Sequence, residues 1–395
     1  MGENFCNAPF AALEVTPQGD CRVCCKMPQQ SVLRPDGTNY RVNQDGISVI
    51  WQSQWMKDFR ERFINNERPS ECSMCWDDEK AGIVSLRKQL SGMYIHDVHN
   101  PKLKNLTLKL SNKCNCACRI CSFWLSSLWE TEIKKSGRML DRDVWFIEEN
   151  SKDKISSEFW NDWQENLKTL DSLLIYGGEP LINDEVLMIL RYLVENGLSK
   201  KMSLYLNTNG TIMNPDVIGL LYEFKETGLY FSIDDVFDRY NYERWPAKYE
   251  NIKKDLLELH DTYNRSNVNI CLYTSISIFN IFYLHEILEE FKQFPKFTIN
   301  FDNLIHSPYE LSIYGLPENL KDDVEKYLDT VDFSQNWEHP YDVKNIIKNF
   351  LRLYKNEYTS EQYINQLDHT LGIDDVRRKQ DWKKTFSTLY TKLCS

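Results

Sequence analysis

Cysteine placement is the feature that most constrains this chain. Ten of its twelve cysteines lie in the first 121 of 395 residues. They form a group before residue 26, the pair Cys72 and Cys75, and a loop from Cys114 to Cys121. The N-terminus lacks the basic and apolar regions of a secretory signal, so the disulfides of an exported protein are not expected. Clustered cysteines in a reducing compartment are typically metal ligands, and this predicts a cytoplasmic metalloprotein.

Composition and charge limit the classes of protein to which the chain can belong. Hydrophobic residues make up 42% and charged residues 27% of the sequence, which is typical of a globular protein. The net charge of −11 argues against a nucleic acid polymer as partner, because nucleic-acid binders usually carry a basic face. No run approaches about 18 apolar residues, so neither a membrane span nor a membrane partner is expected.

Strand and helix patterns alternate through the middle of the chain. Such alternation predicts parallel strands joined by helical crossovers, which is an α/β fold. Six strands are too few for a closed eight-stranded barrel, so the pattern predicts a partial (β/α)6 barrel. The predicted strands are 106–110, 173–176, 202–206, 229–233, 268–278 and 297–301, and the predicted helices are 184–195, 215–226, 249–263 and 284–294.

The chain divides into three predicted units. Residues 1–100 hold the first six cysteines, and Asn100-Pro101 marks a plausible boundary. Residues 101–305 carry the alternating pattern of the partial barrel. Residues 306–395 show helical patterns and are predicted to form a C-terminal helical extension.

The loop after the first barrel strand carries Cys114, Cys118 and Cys121 in a C-x3-C-x2-C spacing. In parallel α/β folds, ligands bind at the carboxyl ends of strands, which is where this loop lies. Three thiolates can hold three irons of a 4Fe–4S cluster and leave the fourth iron open to a ligand. Cys116 offers a fourth thiolate, so a structural zinc knuckle remains an alternative.

The loop and the strand ends behind it resemble those of the radical S-adenosylmethionine enzymes. The motif Gly177-Gly178-Glu179-Pro180 follows the second barrel strand, Asn207-Thr208-Asn209-Gly210 ends the third, and Ser232-Ile233-Asp234 ends the fourth. The resemblance implies that an open iron binds S-adenosylmethionine and that reductive cleavage gives a 5′-deoxyadenosyl radical, which abstracts hydrogen from the substrate. It also implies a set of cofactor-binding residues: Ile120, Gly177, Gly178, Glu179, Pro180, Asn207, Asn209, Ser232, Asp234, Arg244, Ser277 and Asn280.

Two details of this set depart from a simple match. The position before the third loop cysteine is commonly aromatic in the family, and here it is Ile120, which can still pack on adenine. The arginine that pairs with the carboxylate of the ligand has two candidates, and Arg244 fits its expected place better than Arg239.

The N-terminal unit resembles the SPASM/twitch domains that bind an auxiliary iron–sulfur cluster in the same superfamily. Cys6-Asn7-Ala8-Pro9 is followed by an apolar strand, a glycine turn, a cysteine pair and Cys72-Ser73-Met74-Cys75. The resemblance implies a second 4Fe–4S cluster whose ligands are Cys6, Cys24, Cys72 and Cys75. Three points stay open: whether Cys21 or Cys25 replaces Cys24, whether the cluster is 2Fe–2S, and whether the site holds zinc instead.

Together these patterns predict a redox enzyme, an oxidoreductase in the broad sense, whose exact reaction type is open. The expected substrate is a small metabolite or a peptide, and a ribosomal-peptide-modifying enzyme that crosslinks or epimerises is an alternative. The resemblance further implies an external electron donor such as flavodoxin or ferredoxin. A non-catalytic zinc or iron–sulfur scaffold would explain the cysteines, but it would not explain three motifs at successive strand ends.

Overall fold

The computed structural model describes residues 2–27, 31–80, 82, 84–91, 97–137, 141–263, 267–334 and 342–395, with the backbone alone for residues 141–143 and 145. Eight strands in this part of the chain form one sheet in the order β2-β1-β3-β4-β5-β6-β7-β8. Every neighbouring pair is parallel except β1 and β2, which are antiparallel. The strands are β1 (Ala12–Val15), β2 (Cys21–Arg22), β3 (Asn105–Leu108), β4 (Ser172–Ile175), β5 (Ser203–Thr208), β6 (Glu226–Ser232), β7 (Val268–Ile276) and β8 (Thr298–Leu304).

The six predicted barrel strands are β3 to β8, and the predicted α/β fold is confirmed. Residues along β5 alternate between buried and half-buried, because successive side chains of a strand point to opposite faces. Leu204 and Leu206 face the hydrophobic core, whereas Tyr205 and Asn207 lie half-buried on the other face. The sheet therefore has one face for packing and one face that keeps partial access to solvent.

Helices cover the core-facing side of the sheet and follow the strands as the alternation predicts. Asn183 caps the helix after β4, because its side chain accepts hydrogen bonds from the backbone of Glu185 and Val186. The helix predicted at 215–226 ends at Leu221, and Glu226 instead begins β6. The helices up to the end of the sheet are α1 (Ala8–Ala11), α2 (Val42–Asp45), α3 (Ile47–Trp51), α4 (Gln54–Ile64), α5 (Ser73–Lys80), α6 (Leu86–Ser91), α7 (Ser127–Ser136), α8 (Asp141–Asn150), α9 (Trp160–Leu167), α10 (Asp184–Glu195), α11 (Pro215–Leu221), α12 (Phe237–Glu243), α13 (Tyr249–Thr262) and α14 (Leu284–Phe291).

The segment after β8 is helical. Thr359 begins its longest helix with a capping box: Thr359 Oγ1 accepts from the backbone N–H of Gln362, and Gln362 Oε1 accepts from the backbone N–H of Thr359. None of the helices in the described part of the chain is both long and apolar enough to cross a lipid bilayer. The helices of this segment are α15 (Glu318–Thr330), α16 (Val343–Leu351), α17 (Ser360–Arg378), α18 (Trp382–Thr385) and α19 (Ser387–Cys394).

The N-terminal segment contributes two strands to the same sheet. Strand β1 pairs in parallel with β3, with Val15 opposite Leu108 and Ala12 opposite Asn105. The carboxyl end of β1 therefore lies beside the start of the cysteine loop that follows β3. This pairing adds the N-terminal segment to the sheet beside β3, and β2, which is antiparallel to β1, carries the chain back toward the amino end of β1.

Candidate functional site

The cysteine loop that follows β3 is held in place by the two serines that begin α7. Ser127 Oγ lies 3.1 Å from both the amide nitrogen and the carbonyl oxygen of Cys114, so it accepts a hydrogen bond from one and donates to the other. Ser126 Oγ donates to the carbonyl of Cys116 and also caps the helix. The loop thus keeps its conformation through backbone contacts, which leaves the thiols available as ligands.

The three thiols of the predicted open-iron set influence one another. Burial raises the pKa of Cys114 to about 12, and the Cys118 thiolate adds to the rise. Burial also raises the pKa of Cys121, followed by the Cys118 and Cys114 thiolates. Three thiolates this close repel each other, and a bound iron–sulfur cluster removes that repulsion by ligating them. The donor set therefore fits a cluster.

Cys118 differs from its neighbours because its pKa is lowered. A hydrogen bond from Cys116 is the main cause, burial opposes it, and the positive charge of Arg244 adds to the lowering. Arg244 Nη1 lies 3.9 Å from Cys118 Sγ. Cys116 is buried, and the amide of Asn209 lies 3.5 Å from its sulfur and 3.8 Å from that of Cys114. Cys116 thus lies inside the site, next to Cys118.

The glycine pair after β4 allows close contact between two loops. Gly178 has a φ of +63°, and a Cβ atom there would lie 2.7 Å from the carbonyl oxygen of Lys113 and 2.8 Å from that of Ser111. Only glycine fits this approach without strain. The next residue, Glu179, donates its backbone amide to the carbonyl of Lys113 at 2.8 Å. The motif therefore fixes the entry to the cysteine loop.

The carboxylate of Glu179 connects the ends of β4 and β5. It accepts hydrogen bonds from Thr208 Oγ1 at 2.7 Å, from the Asn209 amide at 2.7 Å and from the Leu181 amide at 3.0 Å. Burial raises the pKa of Glu179, and these three hydrogen bonds offset part of that rise. Pro180 occupies the first position of a short 3-10 helix, where its missing N–H is not needed.

Arg244 reaches the loop from beyond β6 and pairs with Asp234. Its Nη2 lies 2.6 Å from Asp234 Oδ2, and both side chains are buried. Arg239, the weaker candidate in the sequence, instead pairs with Asp235 and Glu286 at 2.9 Å each. The structure thus brings Arg244 to the cysteine loop and directs Arg239 elsewhere.

The remaining predicted cofactor residues have different surroundings. Asn280 is fully buried, and its amide donates to the carbonyls of Asp234 and Ser275, while its oxygen accepts from the Ser277 amide. These contacts brace the segment after β7, and a contact of Ser277 or Asn280 with the cofactor stays a prediction. Ile120, Asn207 and Ser232 are half-buried.

The N-terminal cysteines Cys6, Cys24, Cys72 and Cys75 also come together. Burial raises the pKa of Cys6 and of Cys72 to about 12, and the Cys75 thiolate adds to both. Burial likewise raises the pKa of Cys24, to which Cys25, Cys6 and Cys75 add in turn. Four mutually repelling thiolates fit a second cluster whose irons are all ligated by protein.

The two other cysteines of this region face different groups. Cys21 is fully buried, and the acidic residues Asp20, Asp45 and Glu14 add to the rise that burial causes in its pKa. Cys25 keeps contact with solvent, yet desolvation by the atoms crowded around it raises its pKa, followed by Glu14, while Lys109 opposes the rise. The pKa of Cys24 is the one of the three to which Cys6 and Cys75 contribute, and the place of Cys24 in the set stays a prediction.

Buried contacts surround the N-terminal set. Arg87 donates to the carbonyls of Phe5 and Glu3 at 2.8 and 2.9 Å, and its guanidinium lies 4.8 Å from the ring centroid of Trp76. Glu79 pairs with Arg87 at 2.6 Å. Among the residues that the structure describes, no group of three or more His, Cys, Asp or Glu side chains is arranged to hold a single metal ion.

Sequence reasoning missed two residues that contact the site. Thr208 binds Glu179, and its place between Asn207 and Asn209 is a signal that could have identified it. Trp129 donates its indole N–H to the carbonyl of Cys118 at 2.7 Å, and nothing in its local sequence indicates this contact.

Comparison with protein families gives two matches. Residues 108–302 match the model of the radical SAM superfamily. Residues 6–76 match the model of an iron-sulfur cluster-binding domain. No curated protein matches the chain. The two matched segments contain both groups of predicted ligands, and the domains imply 4Fe–4S clusters together with S-adenosylmethionine.

Several solved structures resemble parts of the chain. One is anSMEcpe with bound AdoMet, at 20% identity and a TM-score of 0.40, covering 58% of this chain and 57% of that one. Another is Streptococcus suis SuiB bound to precursor peptide SuiA, at 11% identity and a TM-score of 0.32, covering 83% and 52%. TYW1 with a lysine-pyruvate adduct bound is 12% identical, with a TM-score of 0.35, covering 72% and 89%. The chain thus spans little more than half the length of anSMEcpe.

Proposed function

The chain belongs to the radical S-adenosylmethionine superfamily. We propose that it cleaves S-adenosylmethionine reductively and that the resulting radical abstracts hydrogen from a small metabolite or a peptide. A 4Fe–4S cluster with one open iron supplies the ligand site and the electron for this cleavage when it is bound. In this proposal Cys114, Cys118 and Cys121 hold that cluster. The proposal rests on one observation: these thiols lie together with Glu179, Asn209 and Arg244 at one end of the sheet.

The residues around the thiols have separate tasks in the proposed site. Gly177 and Gly178 let the backbone approach the loop closely, so main-chain groups near Glu179 are available to the amine of the ligand. In this proposal Arg244, which is buried and paired with Asp234, binds the carboxylate of the ligand. Ile120 and the half-buried Asn207 and Ser232 complete the proposed cofactor surface.

The face of the sheet opposite the helices offers room for the substrate. Tyr205, Tyr230 and Tyr273 form a row across β5, β6 and β7, with successive ring centroids 6.4 and 5.9 Å apart. Tyr273 also lines a cavity of about 260 Å³ between β8, α16 and the N-terminal segment. A cavity of this size favours a small metabolite or a single peptide side chain over a bulky polymer.

The N-terminal set has a different proposed task. Cys6, Cys24, Cys72 and Cys75 would hold a second cluster with every iron ligated by the protein, and such a cluster would supply an electron conduit or a structural element. An external donor such as flavodoxin or ferredoxin would supply the electron. In this scheme residues 1–100 form the auxiliary-cluster domain, residues 101–305 the barrel and residues 306–395 the helical extension.

The test is anaerobic reconstitution of the full chain with iron and sulfide. We expect two 4Fe–4S clusters per chain and release of 5′-deoxyadenosine that depends on a strong reductant. Cys118→Ala should abolish the release, whereas Cys394→Ser, at an exposed cysteine far along the chain, should retain it. Zinc in place of iron, with no cleavage of S-adenosylmethionine, would contradict the proposal and favour a non-catalytic scaffold.

A further inference from the structure

The C-terminal helical segment reaches back to the cysteine loop. Arg378, the last residue of α17, donates from Nη1 to the carbonyl of Ala117 at 3.2 Å. Arg119 donates from Nη2 to Asp375 at 2.7 Å and to Gln380 at 2.9 Å. The two residues that flank Cys118 are therefore both bound to the end of α17 or to the turn that follows it.

Arg378 is held between two tryptophans that themselves bind the loop. Its guanidinium carbon lies 4.7 Å from the ring centroid of Trp129 and 4.6 Å from that of Trp245. Trp129 donates its indole N–H to the carbonyl of Cys118, and the carbonyl of Trp245 accepts from the Ala117 amide, both at 2.7 Å. Stacking on two aromatic faces fixes the plane and position of the guanidinium.

Two nitrogens of this guanidinium make no hydrogen bond to the described part of the protein. Within the described residues, Nε and Nη2 of Arg378 are buried and have no hydrogen-bond partner. Burial lowers the pKa of Arg378 to about 10, so the side chain still carries its charge at pH 7. The Cys118 thiolate is among the groups that interact electrostatically with it. A half-buried cation with two unpaired donor nitrogens, Nε and Nη2, thus lies close to one ligand of the proposed cluster.

We propose that Arg378 is a positioning residue for the cluster held by Cys114, Cys118 and Cys121: it fixes a cation beside Cys118 and thereby raises the reduction potential of that cluster. This inference rests on the proposed function. Reduction adds negative charge to the cluster, so a fixed positive charge nearby stabilises the reduced form. The Nε and Nη2 atoms of Arg378 are buried, so little water screens the charge on that side of the guanidinium.

The C-terminal helices are therefore part of the electron-accepting site, and they are not only an outer covering of the barrel. Arg244 lies on the same ligand, 3.9 Å from Cys118 Sγ, but its charge is shared with Asp234 at 2.6 Å. Arg378 forms no ion pair within 4.0 Å among the described residues, although Asp374 and Glu132 act on its charge from farther away. Its charge is consequently the less compensated of the two.

The experiment is an anaerobic redox titration of the reconstituted full chain, followed by EPR with and without S-adenosylmethionine. The cluster with an open iron is the one whose signal changes when S-adenosylmethionine is added, and the other cluster is an internal reference. We compare the wild type with Arg378→Gln, Arg378→Lys and Arg377→Gln. Arg377 is the matched control, because it anchors α17 to Glu132 of α7 without facing the cluster.

We expect Arg378→Gln to shift the potential of the responsive cluster to a more negative value and to leave the reference cluster unchanged. Arg378→Lys keeps the charge, so the potential of its responsive cluster should lie close to that of the wild type. This variant tests the role of the charge even if Arg378→Gln binds its clusters poorly. Arg377→Gln should shift neither signal. If the potential of the responsive cluster is unchanged in Arg378→Gln, or if it shifts equally in Arg377→Gln, this inference is wrong and the proposed function is unaffected. The lack of any signal that responds to S-adenosylmethionine in the wild type would overturn the proposed function as well.

Discussion

The two cysteine sites of this chain differ in the charges that surround them. At the N-terminal set, Arg87 is neutralised by Glu79 through contacts of 2.6 and 3.0 Å. At the cysteine loop, Arg244 and Arg378 both act on Cys118, and Arg378 has no such partner in the described part of the chain. Cys118 is also the cysteine whose pKa is lowered, whereas burial raises the pKa of all four N-terminal ligands.

This difference indicates how one chain can keep two clusters with separate tasks. A cation without an ion-pair partner, as Arg378 is within the described residues, favours the acceptance of an electron and of an anionic ligand, which suits a site with an open iron. Paired charges leave the properties of a cluster to its four thiolates and suit a relay or a structural site. The expected outcomes below test whether the two sites are independent in this way.

Removing one ligand from each site should give the largest and most selective effects. Cys118→Ala should lower the iron content by about half and reduce cleavage of S-adenosylmethionine to background, because a cluster held by two thiolates is not retained. Cys72→Ala should lower the iron content by a similar amount but leave some cleavage of S-adenosylmethionine that does not lead to product. Iron and sulfide analysis together with 5′-deoxyadenosine release measures both. Equal loss of cleavage in the two variants would show that the sites are not independent.

Glu179→Gln should weaken the cysteine loop without touching the N-terminal set. The new amide group would meet donors where the carboxylate now accepts from Thr208, Asn209 and Leu181. We expect the free energy of unfolding to fall by about 3 kcal/mol and cleavage at low S-adenosylmethionine concentration to fall at least tenfold. Denaturant unfolding and initial rates give the two values. Glu195→Gln, at an exposed residue of α10, is the control and should match the wild type.

Gly178→Ala tests the close approach of the two loops. Gly178 and Gly197 both have positive φ, +63° and +68°, but a Cβ atom at Gly197 meets nothing within 4 Å. Both substitutions carry the same backbone strain, so their difference isolates the clash with the carbonyls of Lys113 and Ser111. We expect Gly178→Ala to be less stable than Gly197→Ala by about 2 kcal/mol, as seen in denaturant midpoints. Equal stabilities would mean that the loop moves aside freely.

The smallest effect concerns acid pH near the N-terminal site. Burial lowers the pKa of His306 to about 4, and the charge of Lys26 contributes. Between pH 6.5 and 4 the unfolded chain binds a proton that the folded chain does not, so stability falls as the pH falls through this window. We expect His306 to lower the free energy of unfolding by about 1 kcal/mol at pH 5, a value that allows for partial exposure of its ring.

The measurement is the free energy of unfolding of the wild type and of His306→Gln at pH 7 and pH 5. His306→Gln should lose that part of the acid dependence, whereas His369→Gln, at an exposed residue of α17, should retain it. If the variant and the wild type lose the same free energy on acidification, His306 does not contribute. Because His306 lies against Phe350, 4.8 Å between ring centroids, His306→Gln should also lower stability at pH 7 by about 1 kcal/mol, and the test is therefore the change between the two pH values.

The sequence was most informative where local pattern and chemistry coincide. The alternation of strands and helices predicted β3 to β8, and the motifs at 177–180, 207–210 and 232–234 lie at successive strand ends as expected. The side chains of β5 alternate between buried and half-buried, and this alternation follows directly from its sequence. The end of α11 was predicted too late, because Tyr222 to Lys225 continue the helical pattern while backbone contacts turn the chain into β6.

Other features depend on contacts between distant segments, which no local pattern shows. The choice between Cys24 and Cys25 needs the position of Cys6 and Cys75, which lie in other parts of the sequence. Arg378 and Ala117 are 261 residues apart. An arginine at the end of a helix usually interacts with the helix carbonyls or solvent, so its contact with the cysteine loop could not be read from the sequence.

The parallel pairing of β1 with β3 also has a consequence for how the chain can be divided. A chain that began at residue 101 would leave the edge of β3 with unpaired N–H and C=O groups next to the cysteine loop. Exposed strand edges recruit other strands, so we expect such a fragment to self-associate, which sedimentation would detect. The N-terminal segment covers the edge of β3, and we expect this cover to prevent aggregation even in a variant that carries no second cluster.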